Sequence, residues 1–132
     1  MVYTREDFPQ DWAMTQNNLG NASSRQASAS KGAERARLLA EAVQAFRDAL
    51  NEYTRDEFPQ QWVMAKNNLG IALRDQALAS EGAERVRLLK EAIRCFENSL
   101  TVYPQEHFPS QYEQINDVLS QTRHMLDEAQ DQ

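Results

Sequence analysis

Asn67-Asn68-Leu69-Gly70 restates Asn17-Asn18-Leu19-Gly20 at a spacing of 50 residues. The match extends outward on both sides. Tyr53-Thr54-Arg55 answers Tyr3-Thr4-Arg5, Phe58-Pro59-Gln60 answers Phe8-Pro9-Gln10, and Trp62 answers Trp12. Downstream, Gly82-Ala83-Glu84-Arg85 answers Gly32-Ala33-Glu34-Arg35. Aligned without a gap, residues 3–52 and 53–102 are identical at 28 of 50 positions. A third copy opens at Tyr103, with Phe108-Pro109, Tyr112 in the tryptophan place and Leu119 in the leucine place, and stops after one helix's worth of chain. An internal period of this kind marks a repeat array. The chain is expected to be one domain over 1–132, with repeats at 3–52 and 53–102 and a half-repeat or capping helix at 103–132.

Each copy reads as two helices. The first starts near Pro9 and Pro59, since proline lacks only an N–H that the first helical turn leaves unpaired anyway. Trp12, Thr15, Leu19, Ala22 and Gln26 share one face at helical spacing, and Trp62, Ala65, Leu69, Ala72 and Leu73 improve on it. Ala27-Ser28-Ala29-Ser30 weakens the helix, and Gly32 or Gly82 is a plausible stop. The second helix begins near Ala33 and carries Leu39, Ala42, Phe46, Ala49, Leu50 and Tyr53 on its apolar stripe. Arg37 and Glu41, like Arg87 and Glu91, are spaced for i, i+4 pairing. Five helices are expected, near 9–29, 34–53, 59–79, 84–103 and 109–129. A lone helical hairpin cannot bury both faces, and stacked neighbours supply the missing contacts. The expected fold class is therefore all-α, a helical-repeat solenoid of antiparallel helix pairs. A four-helix bundle with an added helix is the alternative, but near-identical copies favour translation along an axis over closure.

Composition narrows the function. A net charge of -6 argues against a nucleic-acid surface, which needs basic patches. Eleven Arg and three Lys are interleaved with Glu at helical spacings and read as solvated or ion-paired faces. A single cysteine, Cys95, rules out an intrachain disulfide. No apolar run approaches the roughly 20 residues of a membrane span, and the first residues lack a signal-peptide core. The default expectation is a cytoplasmic protein.

Groups that could carry catalysis are scattered. His107 and His124 have no second His or Cys at metal-ligand spacing, so neither a metal nor another cofactor is expected. Cys95 stands in the place of Ala45 and reads as a small packing residue. Glu6-Asp7 and Asp56-Glu57 precede helix starts, where negative charge suits the helix dipole. Gly20 and Gly70 sit in mid-helix and permit close helix approach. Trp12, Trp62, Phe8, Phe58 and Phe108 recur with the repeat and read as packing residues.

The quoted residues resemble the tetratricopeptide repeat. Asn18-Leu19-Gly20-Asn21-Ala22 is followed by Glu41-Ala42-Val43, Phe46 and Ala49-Leu50. The second copy has Asn68-Leu69-Gly70-Ile71-Ala72, then Glu91-Ala92-Ile93, Phe96 and Ser99-Leu100. That family's usual period is about 34 residues. The longer period and the doubled asparagine look like the branch that includes kinesin light chain and repeats of bacterial multidomain signalling proteins, some joined to caspase-like proteases. The resemblance implies a binding scaffold and no enzyme activity. In that family, first-helix polar positions line a concave groove and bond the backbone of an extended peptide. The matching positions are Asn17, Asn21, Ser24 and Arg25; Asn67, Ile71, Arg74 and Asp75; and Asp117, Gln121 and His124. Asparagines are poor helix-interior residues, so something compensates for Asn17, Asn18, Asn67 and Asn68. Either they bond a neighbouring helix, or they form an amide ladder toward a partner. Asp117 interrupts the ladder, because an ionised carboxylate only accepts.

Two functions remain in play: a protein- or peptide-binding scaffold, and a structural self-assembly module. The second rests on the ends. Val2-Tyr3 aligns with the close of a second helix, as though the chain were a piece of a longer array. The last helix has polar replacements, Gln114 for methionine and Ser120 for glycine, whereas the first helix shows no comparable change. Exposed apolar ends of that kind predict association at high concentration.

Overall fold

A computed structural model describes residues 4–131 of the chain. It contains five helices, α1 (Pro9–Ser28), α2 (Gly32–Leu50), α3 (Pro59–Leu78), α4 (Gly82–Leu100) and α5 (Pro109–Gln130). Among the described residues there is no strand. Val2 and Tyr3, read as the last turn of a helix, lie outside the described residues.

The three Phe-Pro starts share one construction. Proline opens each of α1, α3 and α5 without a side-chain cap. The preceding turn feeds the helix instead: Phe8 N–H donates to Thr4 carbonyl, Phe58 N–H to Thr54 and Phe108 N–H to Pro104, each at 2.9 Å. Gly32 and Gly82 do not act as stops. They are the first residues of α2 and α4, both at φ 59°. That left-handed backbone is one only glycine adopts cheaply. The preceding helices end at Ser28 and Leu78, and the hydroxyls of Ser30 and Ser80 bond back to the carbonyls of Gln26 and Gln76. The second helices end at Leu50 and Leu100, short of the two tyrosines. Tyr53 is buried in the connector, its ring edge-on to Phe58 with centroids 5.8 Å apart. Tyr103 and Phe108 repeat the pair at 5.1 Å.

Helices adjacent in sequence pack on one another, from α1 on α2 through α4 on α5, and α1 also touches α3. The α1–α2 pair is antiparallel: Ala13 clusters with Ala49 and Tyr53 at one end, and Ala27 with Leu38 and Leu39 at the other. Midway, Gly20 meets Phe46, and a Cβ on Gly20 would lie 2.5 Å from the ring. Gly70 and Phe96 repeat this at 2.7 Å. Phe46 and Phe96 are among the largest fully buried side chains. The main core runs from α2 to α5 and includes Val43, Val63, Leu69, Leu73, Leu89, Phe96, Ile115 and Leu119.

The facing of α1 departs from its apolar stripe. Its buried residues are Ala13, Asn17, Gly20, Ser23 and Ala27, whereas Thr15, Leu19, Ala22 and Gln26 are exposed. In α3 both faces are buried: Val63, Gly70, Leu73 and Ala77, together with Ala65, Leu69 and Ala72. The cause is neighbours, because α3 lies between α2 and α4 while, among the described residues, α1 has only α2 packed along its length. One exposed position of the first helix carries a polar replacement: Thr15 stands where the second copy has Ala65 and bonds the Asp11 carbonyl at 3.0 Å. Ser23 replaces Leu73 but is buried, and Leu19 stays exposed. Phe8 and Phe108 keep substantial exposure, and Phe108 still packs edge-on to Tyr103.

Ion pairs follow the helical spacing. Arg37 holds both Glu34 and Glu41 at 2.6 Å, and Arg87 holds Glu84 at 2.7 Å and Glu91 at 3.6 Å. Others join elements: Arg5 to Glu52, Arg47 to Glu91 and Arg123 to Glu97. Exposed pairs contribute only about 0–1 kcal/mol each. They are useful as markers of which surfaces lie side by side.

Candidate functional site

A cleft of about 150 Å³ opens between α3 and α5, lined by Asn67, Ile71, Phe96, Gln114, Ile115 and Val118. It adjoins a second depression of about 260 Å³, where Met64 and Asn67 face Gln111, Gln114 and Tyr103. Met64, Asn67 and Ile71 come from one face of α3 at i, i+3 and i+7. Gln111, Gln114 and Val118 repeat that spacing on α5. None of these residues is charged, in a chain where 26% of residues are. Met64 and Ile71 remain exposed beside them, as large apolar side chains on an open surface.

The asparagines answer differently in the two copies. Asn68 Nδ2 donates to Asn17 Oδ1 at 3.4 Å, so an amide of the second copy covers the first. Asn17 is 2% exposed. In the third copy Val118 stands where Asn68 stands in the second. Valine offers no donor, and Asn67 Oδ1 is buried without a hydrogen-bond partner among the described residues. An unsatisfied buried acceptor costs about 1–3 kcal/mol, so it is an unusual feature to find beside an open cleft.

The predicted site residues are therefore dispersed. Asn67 and Ile71 line the cleft. Asn17 is buried and bonded to Asn68 of α3, and Asn21 and Ser24 are half-buried while Arg25 is exposed on α1. Arg74 and Asp75 are half-buried; burial pushes the Asp75 carboxyl above its ordinary value, against the pull of Arg74 and Arg35. Asp117, Gln121 and His124 are exposed on α5, and His124 Nε2 lies 2.6 Å from Glu128. Sequence reasoning missed Met64, Gln111, Gln114 and Val118. The signal was present in the repeat, since Met64 and Met14 recur, but a helical repeat alone does not say which faces stay open.

Cys95 is buried, and burial pushes its thiol up to about 11. Among the described residues no group of three His, Cys, Asp or Glu side chains could hold a metal ion. Among the described residues no helix is long and apolar enough to cross a membrane. In comparisons with known proteins, no family model, curated protein or solved structure matches this chain.

Proposed function

We propose that this chain is a non-catalytic binding scaffold of the tetratricopeptide kind, working in the cytoplasm. In this reading α1, α3 and α5 are the first helices of successive repeats in a solenoid, and their shared side is a concave face that takes an extended segment of a partner protein. The observation that carries it is the uncharged α3–α5 cleft, which Asn67, Gln111 and Gln114 line with amides beside Ile71, Met64 and Val118. A peptide backbone supplies N–H donors at regular intervals, and Ile71, Val118 and Met64 suit an apolar side chain beside them. A charged group would lose water there and gain no counter-ion.

Self-assembly is the alternative reading, drawing on exposed Leu19. A separate partner is favoured because α2 and α4, the second helices of the two copies, already have neighbours on both sides within the chain.

A displayed library of random peptides, selected on the folded chain, tests the proposal. Selected peptides should be rich in uncharged residues and should lose binding to an Asn67→Ala, Ile71→Ser variant whose melting temperature is unchanged. Failure to select any peptide, or equal binding to the variant, would refute the assignment of this cleft.

A further inference from the structure

Leu19 and Leu69 occupy the same place in the two copies, yet Leu19 is 52% exposed and Leu69 is 4% exposed. The difference lies in what covers them. Around Leu19 a groove of about 210 Å³ opens between α1 and α2, with Ser23, Glu41, Ala45 and Asp48 among its walls. In the second copy those positions are Leu73, Glu91, Cys95 and Asn98. There the groove is filled by α2. Val43 and Leu50 of α2 pack into the core that contains Leu69, Leu73 and Cys95. Arg47, between them on the same face, reaches across to Glu91 at 2.6 Å.

The two glutamates record the same difference. Glu91 is paired with both Arg87 and Arg47, and its side chain is 24% exposed. Glu41 pairs with Arg37 alone among the described residues, and its side chain is 50% exposed. The open groove thus keeps the acidic group that, one copy later, receives an arginine from the covering helix. Asp48 adds a second acid to the same walls, and among the described residues no basic one lines them.

We infer that the α1–α2 groove is a docking site for an amphipathic helix of a partner protein, one that follows the pattern of α2. It carries apolar residues at i and i+7 and an arginine or lysine at i+4, as Val43, Leu50 and Arg47 do. The apolar pair covers Leu19, and the basic residue meets Glu41. Ser23 in place of Leu73 makes the groove less apolar than its filled counterpart, which suits a helix that binds and leaves. A second copy of this chain is a poor donor, because its α2 already lies against α3 and its α4 against α5. The walls share no residue with the α3–α5 cleft, so the inference does not depend on that site.

The probe is a fluorescein-labelled peptide with the sequence of residues 32–53, titrated with the full chain and followed by anisotropy. It should bind saturably. Leu19→Asp should weaken binding by about tenfold or more, as loss of a central anchor does, without moving the melting temperature. Glu41→Arg should weaken the same peptide, and a peptide carrying Arg47→Glu should recover binding to that variant. Absence of saturable binding, indifference to Leu19→Asp, or failure of the charge exchange would each overturn the proposal. If unlabelled full-length chain displaces the labelled peptide as well as free peptide does, the occupant is a second copy, and the assignment to a separate partner falls.

Discussion

The ring of Phe46 lies where a Cβ on Gly20 would have to be, and Phe96 stands in the same relation to Gly70. Each glycine lets a phenylalanine of the following helix enter the first helix's groove, which sets how closely the pair approaches. Alanine is the better helix former by about 1 kcal/mol, but overpacking a well-filled core costs about 1–3 kcal/mol. Gly70→Ala should therefore lower stability by about 1–2 kcal/mol, measured by urea unfolding. A rise in stability would mean that the Phe96 ring moves aside freely.

Leu19 and Leu69 provide a matched pair within one chain. Leu69→Ala should cost about 2–5 kcal/mol, as truncation of a buried leucine does. Leu19→Ala should cost under about 0.5 kcal/mol, because its side chain is already in water. Equal losses by chemical denaturation would show that α1 carries a cover on its outer face in solution.

Cys95 should resist alkylation. With its thiol pushed up to about 11 by burial, the thiolate is scarce at pH 8, on the order of one molecule in a thousand. Iodoacetamide should label the native chain slowly and the urea-unfolded chain rapidly, read by intact-mass spectrometry. Equal rates would indicate that α4 opens readily.

Asp75 should make stability fall as pH rises through the carboxylate range. Burial raises its folded pKa above the ordinary value of 3.8, so the folded state holds the proton more tightly than the unfolded chain. The cost is absent below the unfolded pKa and complete above the folded one. Asp75→Asn should therefore be stabilising at neutral pH, with the gain vanishing in acid. A gain that persists unchanged at low pH would point to lost repulsion elsewhere.

Much of this architecture was legible in the amino-acid sequence. The 50-residue repeat, the Phe-Pro starts and the i, i+4 spacing place five helices within a few residues of their observed ends. Gly20 and Gly70 were readable as points of close approach, because glycine in mid-helix costs too much to be kept without a packing reason. Cys95 was readable as a packing residue from its exchange with alanine. These are local properties, fixed by propensity, steric freedom and spacing, and the chain carries them wherever it sits.

Which face of each helix stays open was decided by the tertiary structure alone. Leu19 and Leu69 have the same neighbours in sequence, yet only Leu69 lies beneath α2. Asn17 and Asn67 are likewise equivalent in sequence, yet Asn68 satisfies one and Val118 leaves the other unpaired. Periodicity states that a face is apolar; it does not state whether another helix arrives to cover it. Burial and hydrogen-bond satisfaction belong to pairs of surfaces, and the second surface lies some 50 residues away in the chain.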